Sequence, residues 1–417
     1  MKPGRAQEAK ALRATRRWRW LAVPTLALVL HHALAQEAVR AEVGKPLLAA
    51  RELIKTHKYK DALAKVSEAD AVTNKTANES LLVERMRIAA ASGAGDADTA
   101  ARAFEAISGS GKLAAAEKIR MIESLAATYY RAKDYPKAML WSQRYIKEGG
   151  TNASIRTLLI QSQYLSGDFA GAARELTSEI QAAEKAGTAV PQERLNLLLN
   201  AAVQMKDANT TVFALEQLVT HYPKREYWVD LLSRMQRKPG FSDRLALDTY
   251  RLSLATGSMS AANDFLEMAQ LALQAGLPAE GRQVVDRGFA SGVLGKGAGA
   301  ERHQRLRDLV NKRLEESQAE RAAVQQQAEA DKDGGALVNV GFNLVFSGQT
   351  AQGLPMMLRG IAKGNLKRPE DAKLHLAIAY LMAGDIAKAQ GVLKTVGGPD
   401  GTADLARLWA LYAKRKT

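Results

Sequence analysis

The chain is 417 residues long, 47% hydrophobic and 25% charged, the balance of a sequence that buries a core rather than a disordered one. It has no cysteine, which excludes disulfides, thiolate nucleophiles, iron–sulfur clusters and cysteine-held zinc, and of its six histidines only His31 and His32 are close in sequence. The net charge of +15 is unevenly placed: seven Lys/Arg against Glu8 put +6 in residues 1–35 and leave a mild +9 for the other 382. That remainder is interleaved with acids rather than clustered with stacking aromatics, which argues against nucleic acid as a partner.

Arg13, Arg16, Arg17 and Arg19 precede the apolar run Leu21–Leu30, and Ala33-Leu34-Ala35 follows before Gln36. Basic, apolar and small-x-small segments in that order read as a signal peptide over 1–35, cleaved after Ala35. As a helix the apolar run reaches about 15 Å, half of a hydrocarbon core of about 30 Å, so it is too short for an anchor. Arg19 stands where a twin-arginine signal requires a bulky apolar residue, which favours the general secretory route. The expectation is a periplasmic protein with no membrane span in its mature part.

From residue 43 onward, helical stretches alternate with short turns, each followed five positions later by a small residue. Gly95-Asp96 with Ala100, Gly167-Asp168 with Ala172 and Gly384-Asp385 with Ala389 are the clearest copies. Weaker ones are His57 with Ala62, Lys133-Asp134 with Ala138, Lys206-Asp207 with Thr211, Gly276 with Gly281, and Gly348 with Gly353. Turn to turn the steps are 38, 38, 34, 39, 70, 72 and 36, the two long ones near double the rest. Small residues let paired helices approach, and bulky residues four further on (Val66, Phe104, Leu176, Leu393) fill the space beside them.

This pattern resembles the tetratricopeptide repeat, a helix–turn–helix unit of about 34 residues. The resemblance covers nearly all of 43–403 and implies an all-α, right-handed superhelical solenoid. Tyr222-Pro223 stands where such repeats place their helix-ending proline. Two stretches depart from the pattern. Over 225–258 Lys238-Pro239-Gly240 replaces the turn, which predicts a degenerate repeat with an altered crossing. Over 301–332 there is no Gly or Pro, which leaves one long charged helix or a tight hairpin as alternatives. The expected organisation is therefore an N-terminal array over 36–295, a charged helical connector over 296–333, and a C-terminal array over 334–417 closed by a capping helix at 402–414.

No motif carries catalytic chemistry. Gly109-Ser-Gly-Lys112 has Ala106 and Leu113 where a phosphate-binding loop needs Gly and Ser/Thr, so it reads as a turn between repeats. G-x-S-x-G, H-E-x-x-H and EF-hand patterns are absent from the sequence, and no cofactor is expected. What the resemblance implies instead is a binding strip on the concave side, lined by the first helix of each repeat. By register that strip holds Arg120, Glu123, Tyr130 and Arg131, then Thr157, Gln161 and Tyr164, then Asn196, Asn200 and Gln204. Such side chains suit the N–H and C=O groups of an extended peptide.

In the C-terminal array the same register gives only apolar residues: Val338, Phe342, Val345 and Phe346, then Leu374, Ile378, Leu381 and Met382. Left open they would form an interaction site. Either the 301–332 helix covers them through Leu306, Leu309, Val310 and Leu314, or a helix from a partner or a second copy in a homodimer does. The chain thus reads as a non-catalytic protein–protein scaffold or adaptor of the cell envelope. By its resemblance to periplasmic Gram-negative repeat proteins it would accompany a TonB-type energy-transduction system. The alternative is an accessory module to, or a remote form of, a peptidoglycan enzyme.

Overall fold

A computed structural model describes residues 39–415, so the signal peptide read over 1–35 lies outside the described residues. Among those residues the secondary structure is helical throughout, with no strand. The chain divides into two compact units, one ending at Thr210 and the other beginning at Thr211.

The first unit is a run of helical hairpins: α1 (Ala41–Lys55) with α2 (Tyr59–Asp70), α3 (Ala77–Ala94) with α4 (Ala97–Ser108), α5 (Ala115–Arg131) with α6 (Tyr135–Lys147), and α7 (Ala153–Leu165) with α8 (Phe169–Lys185), followed by α9 (Gln192–Gln204). Three of these hairpins, all but α1 with α2, are fixed by three local features. The residue opening the turn has a positive φ, one further on Asp96, Asp134 or Asp168 caps the next helix by accepting the N–H of Thr99, Lys137 or Gly171, and the small residue that follows is buried. Bulky residues then fill the space beside it. Phe104 meets Trp141 edge-on at 5.4 Å, and Tyr129 stacks on Trp141 at 6.5 Å, in a core continuous with Leu125 and Ile122. Each hairpin packs mainly on the next, and first helices α1, α3, α5 and α7 also touch in sequence, forming one row.

Helix α10 (Ala208–His221) crosses the division and stops at Tyr222-Pro223, where the sequence predicts a stop. The second unit continues with α11 (Arg225–Gln236), a 3-10 turn over Asp243–Leu245, α12 (Ala246–Thr256), α13 (Ala262–Gln274), α14 (Pro278–Ala290), α15 (Ala300–Ala319), α16 (Arg321–Ala330), α17 (Gly335–Phe346), α18 (Thr350–Lys363), α19 (Pro369–Met382), α20 (Ile386–Leu393) and α21 (Thr402–Lys414). Residues 237–245 join α11 to α12 by an irregular link in place of a tight turn, as Lys238-Pro239-Gly240 requires.

Residues 301–332 adopt neither of the two expected forms. Two helices meet at Glu320, whose φ of −87° and ψ of −3° interrupt the ladder for one residue without folding the chain back. Nor is the segment a free connector. His303, Leu306 and Val310 are buried, the two aliphatic residues in a cluster with Phe265, Leu266, Val284 and Val285 of α13 and α14, while Ala328 rests against Leu337, Leu344 and Met356. Helix α17 packs backbone to backbone on α18, where Gly341 faces Gly353 and Gly334 faces Gly360 with no room for a Cβ.

Candidate partner-binding face

In the first unit the row of first helices brings the expected polar residues together in part. Glu123, Tyr130, Thr157, Gln161, Tyr164, Asn196 and Asn200 are half-buried, whereas Arg120, Arg131 and Gln204 are exposed. Consecutive helices are tied through these side chains. Tyr130 donates its hydroxyl to Gln161 Oε1 at 2.9 Å, and the Asn152 amide donates to Glu123 Oε1 at 2.7 Å. Arg194 donates to Thr157 Oγ1 and pairs with Glu179 at 3.3 Å. Arg131 reaches back to α3, giving hydrogen bonds to the Ser92 carbonyl at 3.2 Å and to Thr128 Oγ1 at 3.0 Å.

Aromatic rings stiffen the strip: Tyr130 meets Tyr135 edge-on at 5.7 Å and Tyr164 meets Phe169 at 5.3 Å. Burial, then the nearby Tyr135, raises the pKa of Tyr130, keeping it a hydroxyl donor. Burial lowers the pKa of Arg131 from its ordinary value. Among the described residues Asn200 makes no side-chain hydrogen bond, so its amide is available to a ligand.

Three residues of this face were not singled out from sequence: Asn152, Arg194 and Arg85, which pairs with the nearly buried Glu117 at 2.7 Å. Arg85 was legible. It lies 38 residues before Glu123, one repeat step, so the same register reaches it. Asn152 and Arg194 sit just before and just inside helix starts, where the repeat pattern assigns no role.

The apolar strip of the second unit is not an open groove. Val338, Phe342, Val345, Leu374, Ile378 and Leu381 are buried and Phe346 is half-buried, leaving only Met382 of the eight exposed. Nor does the 301–332 segment provide the cover, because Leu306 and Val310 are spent on α13 and α14 while Leu309 faces solvent. Cover comes from α12 and α14 through a buried ionic cluster that no sequence pattern announced.

The Arg251 guanidinium lies 4.9 Å over the Phe342 ring, and the His375 ring stacks on the same ring at 4.9 Å. Arg251 binds Glu280 through both Nε and Nη2, at 2.7 and 2.6 Å, and gives Nη1 to Asp248 Oδ1 at 2.6 Å. His375 Nε2 is 2.9 Å from the same Asp248 oxygen. Burial opposes ionisation of Asp248, yet His375 and Arg251 hold its carboxyl well below the usual carboxylate range. Phe342 and Ile378 are therefore core residues, and a helix from a partner or second copy finds no vacant groove at them.

Among the described residues no helix is long and apolar enough to cross a membrane, and no group of three or more His, Asp or Glu is placed to hold a metal ion. The fold and this face define a class: an all-α protein of tetratricopeptide-like helical hairpins with a polar first-helix face. No family model matches the chain, and no curated protein matches its sequence. Among solved structures it is similar to one of Naa15/Naa10 bound to HypK-THB, at 14% identity and a TM-score of 0.27, covering 87% of this chain and 64% of that one. It is also similar to yeast Tom70, at 11% identity and a TM-score of 0.24, covering 89% of this chain and 96% of that one.

Proposed function

We propose that the protein is a non-catalytic interaction scaffold, exported to the periplasm, whose first-helix face between Arg120 and Gln204 holds an extended segment of an envelope protein. The supporting observation is the tied row Tyr130–Gln161 and Thr157–Arg194, which presents hydroxyl and amide groups on rigid helices, with the Asn200 amide on the same helix as Arg194. Asparagine offers both a donor and an acceptor, the pair a peptide unit needs, and rigid placement reduces the entropy lost on binding. A TonB-type energy-transduction system is the setting proposed for that partner.

A photo-crosslinking residue at position 200, against one at exposed Arg174 on α8, tests this in envelope extract. Position 200 is expected to yield one discrete adduct that Gln161→Ala diminishes, and position 174 none. Equal labelling from both would place the partner elsewhere. Release of soluble fragments from peptidoglycan by the purified protein would replace the scaffold reading with that of a cell-wall enzyme.

A further inference from the structure

The first-helix face of the first unit changes chemistry along its length. On α7 and α9 the positions Thr157, Gln161, Asn196 and Asn200 are uncharged. On α5 the same register carries Arg120 in the second turn and Arg131 at the C-terminal end of the helix. Eleven residues are three helical turns, so the two guanidiniums lie on one side of α5, about 16 Å apart along its axis.

Most arginines of this unit are paired with a carboxylate. Arg85 has Glu117, Arg87 has Asp70 and Glu84, Arg144 has Glu105, and Arg194 has Glu179. Arg120 and Arg131 form no ion pair among the described residues, and the one acid between them in the register, Glu123, is engaged by Asn152. Arg131 uses only Nη2, on a carbonyl and a hydroxyl, so most of its donors remain unspent.

We propose that the bound segment is acidic where it meets α5 and uncharged where it meets α7 and α9, with Arg120 and Arg131 receiving carboxylate side chains of the partner. The inference rests on the peptide-holding reading above and adds the partner's charge and its orientation on the face. Side-chain carboxylates within the segment are meant, so the probes are blocked at both ends.

Three acetylated, amidated peptides on one Ser/Asn/Tyr framework, carrying four Glu, four Gln or four Lys, are titrated onto the full chain by fluorescence anisotropy. The Glu peptide should bind about tenfold more tightly than the Gln peptide and the Lys peptide weakest, with the Glu advantage shrinking as salt rises. Arg120→Gln and Arg131→Gln should each weaken the Glu peptide by about three- to fivefold and leave the Gln peptide unchanged. Arg102→Gln, an unpaired arginine on second helix α4, controls for the chain's general positive charge and should change neither. Equal binding of Glu and Gln peptides, with both weakened by Asn200→Ala, overturns the acidic-partner inference and keeps the peptide-holding reading. An Arg102→Gln effect as large as that of Arg131→Gln also overturns it, as diffuse charge. If none of the peptides binds, both fall.

Discussion

Residue by residue, the hairpins depend on eight turn-opening positions that all take a left-handed backbone: Gly95, Gly167, Gly276, Gly348 and Gly384, and also His57, Lys133 and Lys206. For the three with side chains that conformation costs roughly 1–2 kcal/mol each, because the Cβ crowds the following carbonyl. Lys133 and Lys206 are exposed, so replacing them loses little contact. Glycine would remove the strain but adds freedom to the unfolded chain worth about 0.4–1 kcal/mol. The net expectation for Lys133→Gly and Lys206→Gly is a gain of about 0.5 kcal/mol each, read as a higher urea midpoint at unchanged slope; a lower midpoint would mean the lysine side chains stabilise the turn. The turns at Gly95, Gly167 and Gly384 were legible in the sequence because glycine followed by aspartate states both requirements, a positive φ and an N-cap, while at His57, Gly276 and Gly348 the repeat spacing carried the reading. At Lys133 and Lys206 the aspartate and the repeat spacing carried the reading alone.

At the scale of helix pairs, one small residue in sequence hides two different structural needs. Gly281 and Gly353 hold equivalent positions five after a turn, yet a Cβ on Gly281 would lie 3.5 Å from the Ala269 carbonyl, ordinary contact, whereas one on Gly353 would lie 2.4 Å from the Gly341 carbonyl. Neither has a positive φ, so propensity and space decide. Gly281→Ala should be neutral or stabilising by up to about 1 kcal/mol, from helix propensity. Gly353→Ala must push α18 off α17 and should cost about 1–3 kcal/mol. Thermal melts of the two variants test the pair, and similar losses in both would mean that α13 and α14 approach as closely as α17 and α18. The sequence located both hairpins but could not rank them, since the close approach needs Gly341 opposite Gly353 and Gly334 opposite Gly360, and register across a turn is a tertiary fact. The same limit hid the break at Glu320, which no Gly or Pro marks and which arises where α15 leaves its support on α13 and α14.

For the molecule as a whole, the two units differ in how far apart in sequence their contacts lie. The first keeps to neighbours, so its stability is a sum of local terms and register finds the first helices, though not Asn152 and Arg194, which tie them together. The second closes on itself. Arg244 pairs with both Asp371 and Asp400, Lys238 with Asp404 at 2.8 Å, and the Ser242 N–H donates to the Asp400 carbonyl at 2.9 Å. These contacts span more than 120 residues and depend on small rotations accumulated over many helices, which no local pattern encodes. The His375–Asp248 contact is of the same long-range kind, and with Arg251 over the Phe342 ring it explains why the apolar strip read as a groove and is a core. The Asp400 carboxyl, opposed by burial but held by Thr402 and Arg244, is pulled down to about 2. A carboxylate depressed in the folded state contributes stability that is present above its ordinary pKa near 4 and lost as pH falls through about 2. Arg244→Ala should therefore raise hydrogen exchange in two separated segments at once, 238–252 and 396–409, while α5 to α8 stay protected. The parent protein should show the same paired loosening between pH 4 and pH 2. Loosening confined to 238–252 would mean that α21 is held by its own repeat and that the long-range pairs contribute nothing measurable.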